Sequence, residues 1–532
     1  FEVIACQSKR PDILELIVAS LGQMVEARAK NIMSGWKILL ATLGRCATDT
    51  HASVVYAAAQ VLERVTRHHI HLLASPDSLV DVVNAWSLFG ANSVDSRLSL
   101  RAIDYIELLS SFVAHGVPTE AVSHSYWENV FDSSSADAAT DRHTGSSSFS
   151  MGSALLSDSS REALLSYRNL IMRIPGDGVI PLGTKDAMDT EAQPSSSTQT
   201  PEQQVHAALS GDMKLWLSIF AALSSLGGVG DQGTKVRAVE CLFDIIDTYG
   251  SMYSTPDWQM ILGGTIYPIF ENILCDIGDP SHEADEDHSE NILLLSAAMR
   301  RAVGLFTTFH SVISSHIGEL LDVFMACSGR GDHETLVQLG FKMTEELVEG
   351  FREHGLADAM FWTVVQKRLR ELGNRSCQAV YHILMRPVGA EGQGYHAAHS
   401  SLNTLKGLCV CASIIANADS NHGDQQVPFS LLQSFTAVLR RVIEESTEYL
   451  DSPDGLDNAI VGNLIATEEA ACSAYLDLFS KVVPNEEEES QFYATVNHIL
   501  SRVCPWSSSV PSRDAGADRY RLDESNAMAA VV

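Results

Sequence analysis

Apolar residues recur near the start of the chain at the spacing of a helix that buries one side. Between residues 12 and 30 they stand three or four positions apart, and a helix of that period brings them onto one face. Pro11 precedes them, at a position where the first turn of a helix tolerates proline. The pattern predicts an amphipathic helix with a stripe of Leu14, Ile17, Leu21 and Met24, widened by Ile13 and Val25.

Two further stripes of this kind lie later in the chain. Gly250 follows the first stripe, where we expect a glycine to act as the C-cap. Asp332 and Gly350 flank the second stripe and are predicted to cap and to end its helix. The first stripe contains Val236, Val239, Leu242, Phe243, Ile246 and Tyr249, and the second contains Leu336, Leu339, Met343 and Leu347.

Helical patterns dominate the whole chain, and convincing alternating strands are absent. We predict about fifteen to twenty helices joined by short turns. A helix pair every 40 or so residues is typical of HEAT or armadillo arrays. The predicted fold class is therefore all-α, a HEAT/armadillo-like α-solenoid of antiparallel helix pairs. Because no strict sequence repeat is visible, an ordinary multi-helix bundle stays open as the alternative.

One long polar stretch divides the helical pattern. Residues 132–206 are rich in Ser, Thr, Asp and Gly, and are predicted to be a disordered insertion with one short helix around residues 162–172. The stretch 282–290, HEADEDHSE, is predicted to be an acidic loop. The predicted organisation is a first helical block at 1–131, the insertion, a second helical block at 207–385, a C-terminal helical block at 386–504 and a flexible tail at 505–532.

The charge balance argues against two classes of partner. The chain has 67 Asp and Glu against 36 Lys and Arg, a formal net charge of −31. Duplex nucleic acid and anionic membrane surfaces both require basic patches, so neither is an expected direct partner. No secretory leader opens the chain at Phe1, and the best candidate for a spanning run, 291–309, is interrupted by Arg300 and Arg301. Ten cysteines without a framework predict a reduced, intracellular protein, and the missing Met suggests a fragment or a processed chain.

The one apparent ligand-binding motif of the chain is better explained as a structural turn. Gly228, Gly230 and Gly233 match G-x-G-x-x-G, but the dinucleotide motif needs a preceding strand, and the segment before these glycines reads as a helix. We therefore predict a glycine-rich turn between two helices. No Walker loop, H-E-x-x-H or G-x-S-x-G occurs, so no catalytic residue, cofactor or metal is predicted.

Histidines and cysteines form two small groups, and both are predicted to have structural roles. His68, His69 and His71 stand close enough to share a metal, but no second ligand pair follows at zinc-like spacing. A helix C-terminus that favours imidazole is the plainer interpretation. Cys409 and Cys411 are predicted to be two buried thiols.

A seven-residue segment carries a more specific signal. It reads Asn31-Ile32-Met33-Ser34-Gly35-Trp36-Lys37 and is predicted to be a turn between two helices, with Ser34 as a cap and Trp36 as a core anchor. With the preceding Gln-Met-Val triplet at 23–25, this segment resembles the region downstream of the catalytic domain in the large ARF guanine nucleotide exchange factors of the brefeldin A-inhibited, Sec-seven type.

The resemblance continues in order along the chain over residues 1–115 and 210–370. Residues 67–69 and 77–88 resemble the family's next helix pair, which supports a structural role for the histidines. Later family-like positions include Trp216, Arg237, Gly250, Trp258 and Trp362. Together with Asn31, Ser34, Gly35, Trp36 and Lys37, they are the candidate site residues, with a structural or a partner-binding role.

The resemblance implies a function that the residues alone do not show. It implies a regulatory and recruitment region that binds an ARF-type or related small GTPase, controls a catalytic domain and acts in the cytoplasm, peripherally on Golgi or trans-Golgi membranes. Self-association is a further option, and contact with the membrane would be indirect. The family's catalytic loop of F-R-L-P-G-E type has no counterpart here, so exchange activity is not expected of this chain itself. The alternatives are a non-catalytic Mon-two-like Golgi scaffold and a HEAT-repeat nuclear transport receptor.

Overall fold

The chain folds as an all-α, solenoid-like protein in two compact units. The computed structural model describes residues 1–8, 10–137, 158–182, 211–277, 285–330, 333–384, 393–417, 436–444 and 458–479. The first unit covers residues 1–323 and the second covers 324–532. The predicted all-α fold class is confirmed, while the five predicted segments stay predictions.

Helices follow one another closely in the first unit. Before the insertion they are α1 (Glu2–Gln7), α2 (Pro11–Arg28), α3 (Gly35–Ala47), α4 (Ala52–Arg64), α5 (Pro76–Gly90) and α6 (Ser96–His115). Next come β1 (Val117–Pro118), α7 (Glu120–Asp137), α8 (Asp158–Ile171) and β2 (Val179–Ile180). The unit continues with α9 (Gly211–Leu226), α10 (Gln232–Tyr249), α11 (Thr255–Ile261), α12 (Tyr267–Ile277), α13 (Asp285–Thr308) and α14 (His310–Ile313), and α15 (Ile317–Ser328) contains the boundary.

Five helices of the first unit lie side by side, each next to the following one of the set. In each neighbouring pair an early residue meets an early residue and a late residue meets a late one, so the helices run parallel. The helices α2, α4, α6, α10 and α13 form this first layer. Its contacts are Gly22 with Val61, Glu26 with Arg64, Tyr56 with Asp95, Glu63 with Tyr105, Asp104 with Arg237, Ser111 with Tyr249, Gln232 with Glu290 and Gly250 with Phe309.

The intervening helices α3, α5 and α9 form a second parallel layer. Lys214 Nζ lies 2.7 Å from Asp77 Oδ1 at the start of α9 and α5, and Leu226 lies against Gly90 at their ends. Leu88 of α5 lies against Gly44 of α3 in the same way. Two layers of parallel helices joined by short turns are what stacked helix pairs produce, because each pair buries its stripe only against its neighbours.

The insertion is partly folded onto this array. Helix α7 continues to Asp137, and α8 confirms the short helix predicted around residues 162–172. β1 and β2 pair antiparallel, with Val117 opposite Ile180, although no strands were predicted. A two-residue strand is too short to produce an alternating pattern, so the sequence could not reveal it. Residues 138–157 and 183–206 lie outside the described residues.

One apolar stretch has the length and composition of a membrane span. It runs over Thr255–Ile277, through α11, a π turn and α12, and half of it is buried inside the first unit. No such run is predicted from the sequence, in which residues 291–309 are the best candidate. Trp258 and Phe270, both fully buried, hold the inward side of this stretch in the core of the unit.

The second unit is also helical in its described residues. It contains α16 (Glu334–Glu353), α17 (Ala359–Leu384), α18 (Gln393–Asn417) and α19 (Asn458–Phe479), with a further helical segment at 436–444. Phe341 of α16 packs against Gly407 of α18, and Asn463 of α19 donates a hydrogen bond to the Asn403 side chain at 3.1 Å. Helix α18 therefore forms the centre of this unit.

Several predicted helix ends need correction. Helix α16 does not end at Gly350 but continues to Glu353, and Gly355 then takes a left-handed φ of 70°. The predicted cap Asp332 lies outside the described residues, and His333 occupies the N-cap position. The acidic stretch is not all loop, because α13 already begins at Asp285. Acidic side chains are favourable in the first turn of a helix, so the same letters fit a helix start.

Candidate functional site

The family-like segment at 31–37 forms the predicted turn between α2 and α3. Trp36 is buried and anchors α3, as predicted, and Met33 beside it is 74% exposed with a left-handed φ of 50°. Ser34 occupies the N-cap position but makes no capping hydrogen bond, so its predicted capping role is wrong. Asn31 and Lys37 are exposed, whereas Gly35 packs against Ile32.

The three clustered histidines lie where α4 ends in a π turn. The rings of His68 and His69 are 6.4 Å apart, and His124 of α7 lies 6.4 Å from His68. Burial, followed by the neighbouring charges of His69 and Arg67, lowers the pKa of His68 to about 4. Among the described residues no group of three His, Cys, Asp or Glu side chains is placed to hold a metal ion.

Three of the predicted residues meet in one aromatic cluster. Trp216, Gly250 and Trp258 come from α9, the end of α10 and α11, and all three are buried. The Trp258 indole N–H donates a hydrogen bond to the Gly250 carbonyl at 3.2 Å. The remaining members of the cluster are Phe220, Tyr249, Tyr253 and Phe309.

Gly250 occupies the predicted C-cap position, but for a different reason than the one expected. Its φ is −56°, an ordinary right-handed value that any residue can adopt. A Cβ at this position would lie only 2.8 Å from Cε2 of Phe309. The absence of a side chain, and not conformational freedom, is therefore what this position requires.

Arg237, another predicted residue, lies in a buried cluster of charges between α6 and α10. Its guanidinium donates to Asp104 Oδ1 at 3.0 Å and to Glu107 Oε2 at 2.5 Å. Arg168 of α8 donates to the other oxygen of Glu107, and Arg161 Nε lies 3.8 Å from Asp104. Two carboxylates thus face three guanidinium groups.

Helix α8 supplies both of the additional arginines and covers this junction. Its apolar side chains Leu164, Tyr167 and Ile171 are buried, while Arg161 and Arg168 reach the carboxylates of α6. Burial raises the pKa of Asp104 above its ordinary value, although the neighbouring Arg237 acts in the opposite direction. We name this cluster, with helix α8 over it, the closed junction.

The next junction in the same layer, between α10 and α13, is open. An apolar groove of about 290 Å³ lies between the two helices. Its floor is formed by Val239, Phe243, Leu294 and Ala298, all of them buried, while Leu293 on the rim is 70% exposed. We name this feature the open junction. The groove is not among the sites predicted from the sequence.

Other predicted features have structural roles in the described residues. Gly228 and Gly230 lie in the predicted turn between α9 and α10, whereas Gly233 belongs to the first turn of α10. Cys409 and Cys411 are buried thiols, as predicted, and burial raises the pKa of both. Trp362 is buried beside Phe361 in the second unit. A partner-binding role for any of the ten candidate residues stays a prediction.

The chain is similar in sequence to known guanine nucleotide-exchange proteins. Residues 1–64, which include the family-like turn, match the family model described as Mon2/Sec7/BIG1-like, HDS. Over 408 residues, 74% of this chain, the sequence is 20% identical to the brefeldin A-inhibited guanine nucleotide-exchange protein 2 of Arabidopsis thaliana, of which it covers 20%.

Two more exchange factors are similar to parts of this chain. The Arabidopsis thaliana brefeldin A-inhibited guanine nucleotide-exchange protein 3 is 23% identical over 354 residues, 64% of this chain and 16% of that protein. The Homo sapiens brefeldin A-inhibited guanine nucleotide-exchange protein 1 is 31% identical over 116 residues, 21% of this chain and 6% of that protein. The chain thus spans a fifth or less of the length of these relatives, and as one helical region it is similar to the Sec7-type family of brefeldin A-inhibited guanine nucleotide-exchange proteins.

Proposed function

We propose that this chain is the regulatory and recruitment region of a large ARF guanine nucleotide exchange factor that acts in Golgi vesicle trafficking. In this proposal it binds small GTPases or other proteins and controls a catalytic domain outside the chain. The observation that carries the proposal is the similarity to exchange factors over 74% of a chain whose first unit is a layered helical array. Such arrays present long surfaces that suit protein partners.

Charge supports a location that is peripheral and not inserted. With a formal net charge of −31, the chain would be repelled by the anionic cytoplasmic leaflet. A membrane-bound GTPase could attract the chain through basic patches that match its acidic ridges. We therefore propose that the chain is a cytoplasmic protein whose partners hold it indirectly on Golgi or trans-Golgi membranes.

We place the GTPase-binding surface on the block between Trp216 and Phe270. Both of these side chains are buried, so they shape the surface and do not contact the partner themselves. Met252, in the turn after α10, is 57% exposed and is the large apolar side chain that this block offers to a partner close to its aromatic cluster.

A pull-down of the chain with ARF-type GTPases loaded with GTP or GDP tests the proposal. We expect recovery with the GTP form and a weaker recovery with Met252→Asp. Met360→Asp is the matched control, because Met360 is similarly exposed, at 68%, and lies in the second unit. Equal recovery of both nucleotide forms, or recovery of neither, would contradict the proposal.

A Mon-two-like Golgi scaffold is the second candidate, because the family model that matches residues 1–64 covers both groups. Such a scaffold would bind partners in the same way without controlling a catalytic domain. The coding sequence upstream of Phe1 separates the two candidates, since only an exchange factor should encode the acidic catalytic loop there.

A further inference from the structure

The open junction has defined ends, which give it a length. At one end the Gln232 side chain donates to the Glu290 carbonyl at 3.1 Å, and at the other Arg301 binds Asp244 and Asp247. Gln232 and Asp244 lie twelve positions apart along α10, which at 1.5 Å per residue is about 18 Å. The groove therefore has the length of about three helical turns.

The rim of the groove is acidic. Glu240 and Glu290 are exposed along it, and Arg301 is occupied by its two aspartates. The sequence around the start of α13 adds the acidic run at 283–290, of which residues 285–290 are part of the helix. A partner that buries its apolar side chains here would gain from carrying positive charge beside them.

The closed junction shows in the same molecule what such an occupant looks like. Helix α8 lies on α6 with an apolar stripe of Leu164, Tyr167 and Ile171, at spacings of three and four residues. Its Arg161 and Arg168 flank that stripe and bind the carboxylates of α6. No helix among the described residues takes the corresponding place over α10 and α13.

We propose that the open junction binds an amphipathic basic helix of a partner protein, with apolar anchors on the floor and Lys or Arg side chains at Glu240 and Glu290. A helix in a groove between two helices is an established mode of peptide recognition. The floor lacks converging polar groups, which a small-molecule site would need for orientation. The inference does not depend on the nucleotide-dependent binding proposed above, because no nucleotide takes part in it.

Titration of the whole chain with a labelled probe helix tests this proposal. The probe has about 14 residues, leucines at i, i+3 and i+7, and arginines beside them. A peptide of the same composition with the leucines scattered around the helix is its control. We expect the amphipathic probe to bind, the scattered peptide to bind at least on the order of tenfold more weakly, and binding to weaken as salt is added.

Variants of the protein locate the binding site. Leu293→Ala removes the exposed anchor contact and Ala297→Trp fills the groove, so each should weaken binding on the order of tenfold. Leu16→Ala and Ala19→Trp are matched controls on α2, where Leu16 is 68% exposed and Ala19 is exposed, and they should change nothing. Replacing Glu240 and Glu290 by glutamine should reduce the salt dependence, whereas Glu15→Gln should not.

Several outcomes would overturn the proposal. Equal binding of the amphipathic and scattered peptides would show mere attraction to an acidic chain. No binding to the wild-type chain would mean that the groove does not accept such a helix or that another segment of this chain fills it. A dimer that Ala297→Trp dissociates would make a second copy the occupant. Equal effects of Leu293→Ala and Leu16→Ala would place the binding elsewhere.

Discussion

Two junctions in one layer of parallel helices differ in how they are completed. At the closed junction, Asp104 and Glu107 of α6 meet Arg237 of α10, and helix α8 lies on top. At the open junction, the pairs between Arg301 and the aspartates of α10 are 40–46% exposed, and the apolar floor beside them has no cover among the described residues. The backbone arrangement is similar, but only one junction is desolvated.

Because of this difference, we expect the closed junction to stabilise the fold and the open junction to bind a partner. Charges that are removed from water must stay paired, because an unpaired buried charge costs far more than an exposed one. The closed junction is therefore expected to tolerate little change and to fix α6, α8 and α10 together. The open junction contributes little through its exposed ion pairs, so its residues are available for a partner at low cost to the fold.

The largest expected effect is the loss of Glu107, whose side chain is 5% exposed. Glu107→Ala deprives both Arg168 and Arg237 of a buried carboxylate, and we expect it to lower the free energy of unfolding by about 3–5 kcal/mol. Denaturant unfolding followed by tryptophan fluorescence measures this. The control is Asp244→Ala at the open junction; a loss as large as that of Glu107→Ala would remove the distinction between the junctions.

The next effect is at Gly250, which closes the far end of the junction between α10 and α13. Gly250→Ala places a methyl group against the Phe309 ring, and we expect a loss of about 1–3 kcal/mol in the free energy of unfolding. Gly263→Ala is the control, since nothing lies within 4 Å of a Cβ at that position. If Phe309→Leu in the same chain does not relieve the loss, the steric explanation fails.

Acid should weaken the first unit at its histidine cluster. His68 has a pKa lowered to about 4, and the pKa of His69 is lowered too, so the folded state keeps these rings neutral while the unfolded chain protonates them below about 6.5. Because the unfolded state then binds more protons, stability falls as the pH drops from about 6.5 towards 4. Unfolding experiments across this range measure the slope.

The variant His68→Gln provides the control for the acid effect. Glutamine does not titrate, so the slope between pH about 6.5 and about 4 should become shallower in this variant. His310→Gln, on α14 and away from the cluster, should leave the slope unchanged. An identical slope in the wild type and in His68→Gln would mean that the histidine cluster does not cause the acid sensitivity.

The smallest expected effect is at Arg301, whose side chain is 41% exposed. Arg301→Ala breaks two exposed ion pairs and should lower the free energy of unfolding by about 1 kcal/mol or less. The same denaturant experiment measures it. A loss comparable to that of Glu107→Ala would mean that the open junction is as desolvated as the closed one.

Local patterns revealed the helices well because an amphipathic stripe depends only on neighbours in the sequence. The stripes that begin at Leu14, Val236 and Leu336 each lie on a helix of the structure. Within the first stripe, however, Met24 is 37% exposed, and Val18, which was not predicted, is fully buried. The width of a stripe depends on how closely α4 packs on α2, and the sequence of one helix does not contain that information.

The sites were harder to predict because they form between distant segments. Arg237 and Gly250 were predicted by resemblance alone. The residues that explain their roles, Asp104 beside Arg237 and Phe309 beside Gly250, lie more than fifty residues away in the chain. The groove had one signal that was overlooked. Leu293 lies off the buried stripe of α13 beside the exposed Ala297, and apolar side chains that adjoin one another on a surface mark an interaction site.

Hydrogen exchange of the whole chain, with and without the amphipathic probe, tests the difference between the two junctions most directly. We predict that amides of α6 and the facing part of α10 exchange slowly in both samples, because opening the closed junction exposes buried charges. Amides in the first half of α13, around Leu293, should exchange faster and become protected only when the probe is added. Equal protection at both junctions without the probe, or protection by the probe away from α10 and α13, would contradict this account.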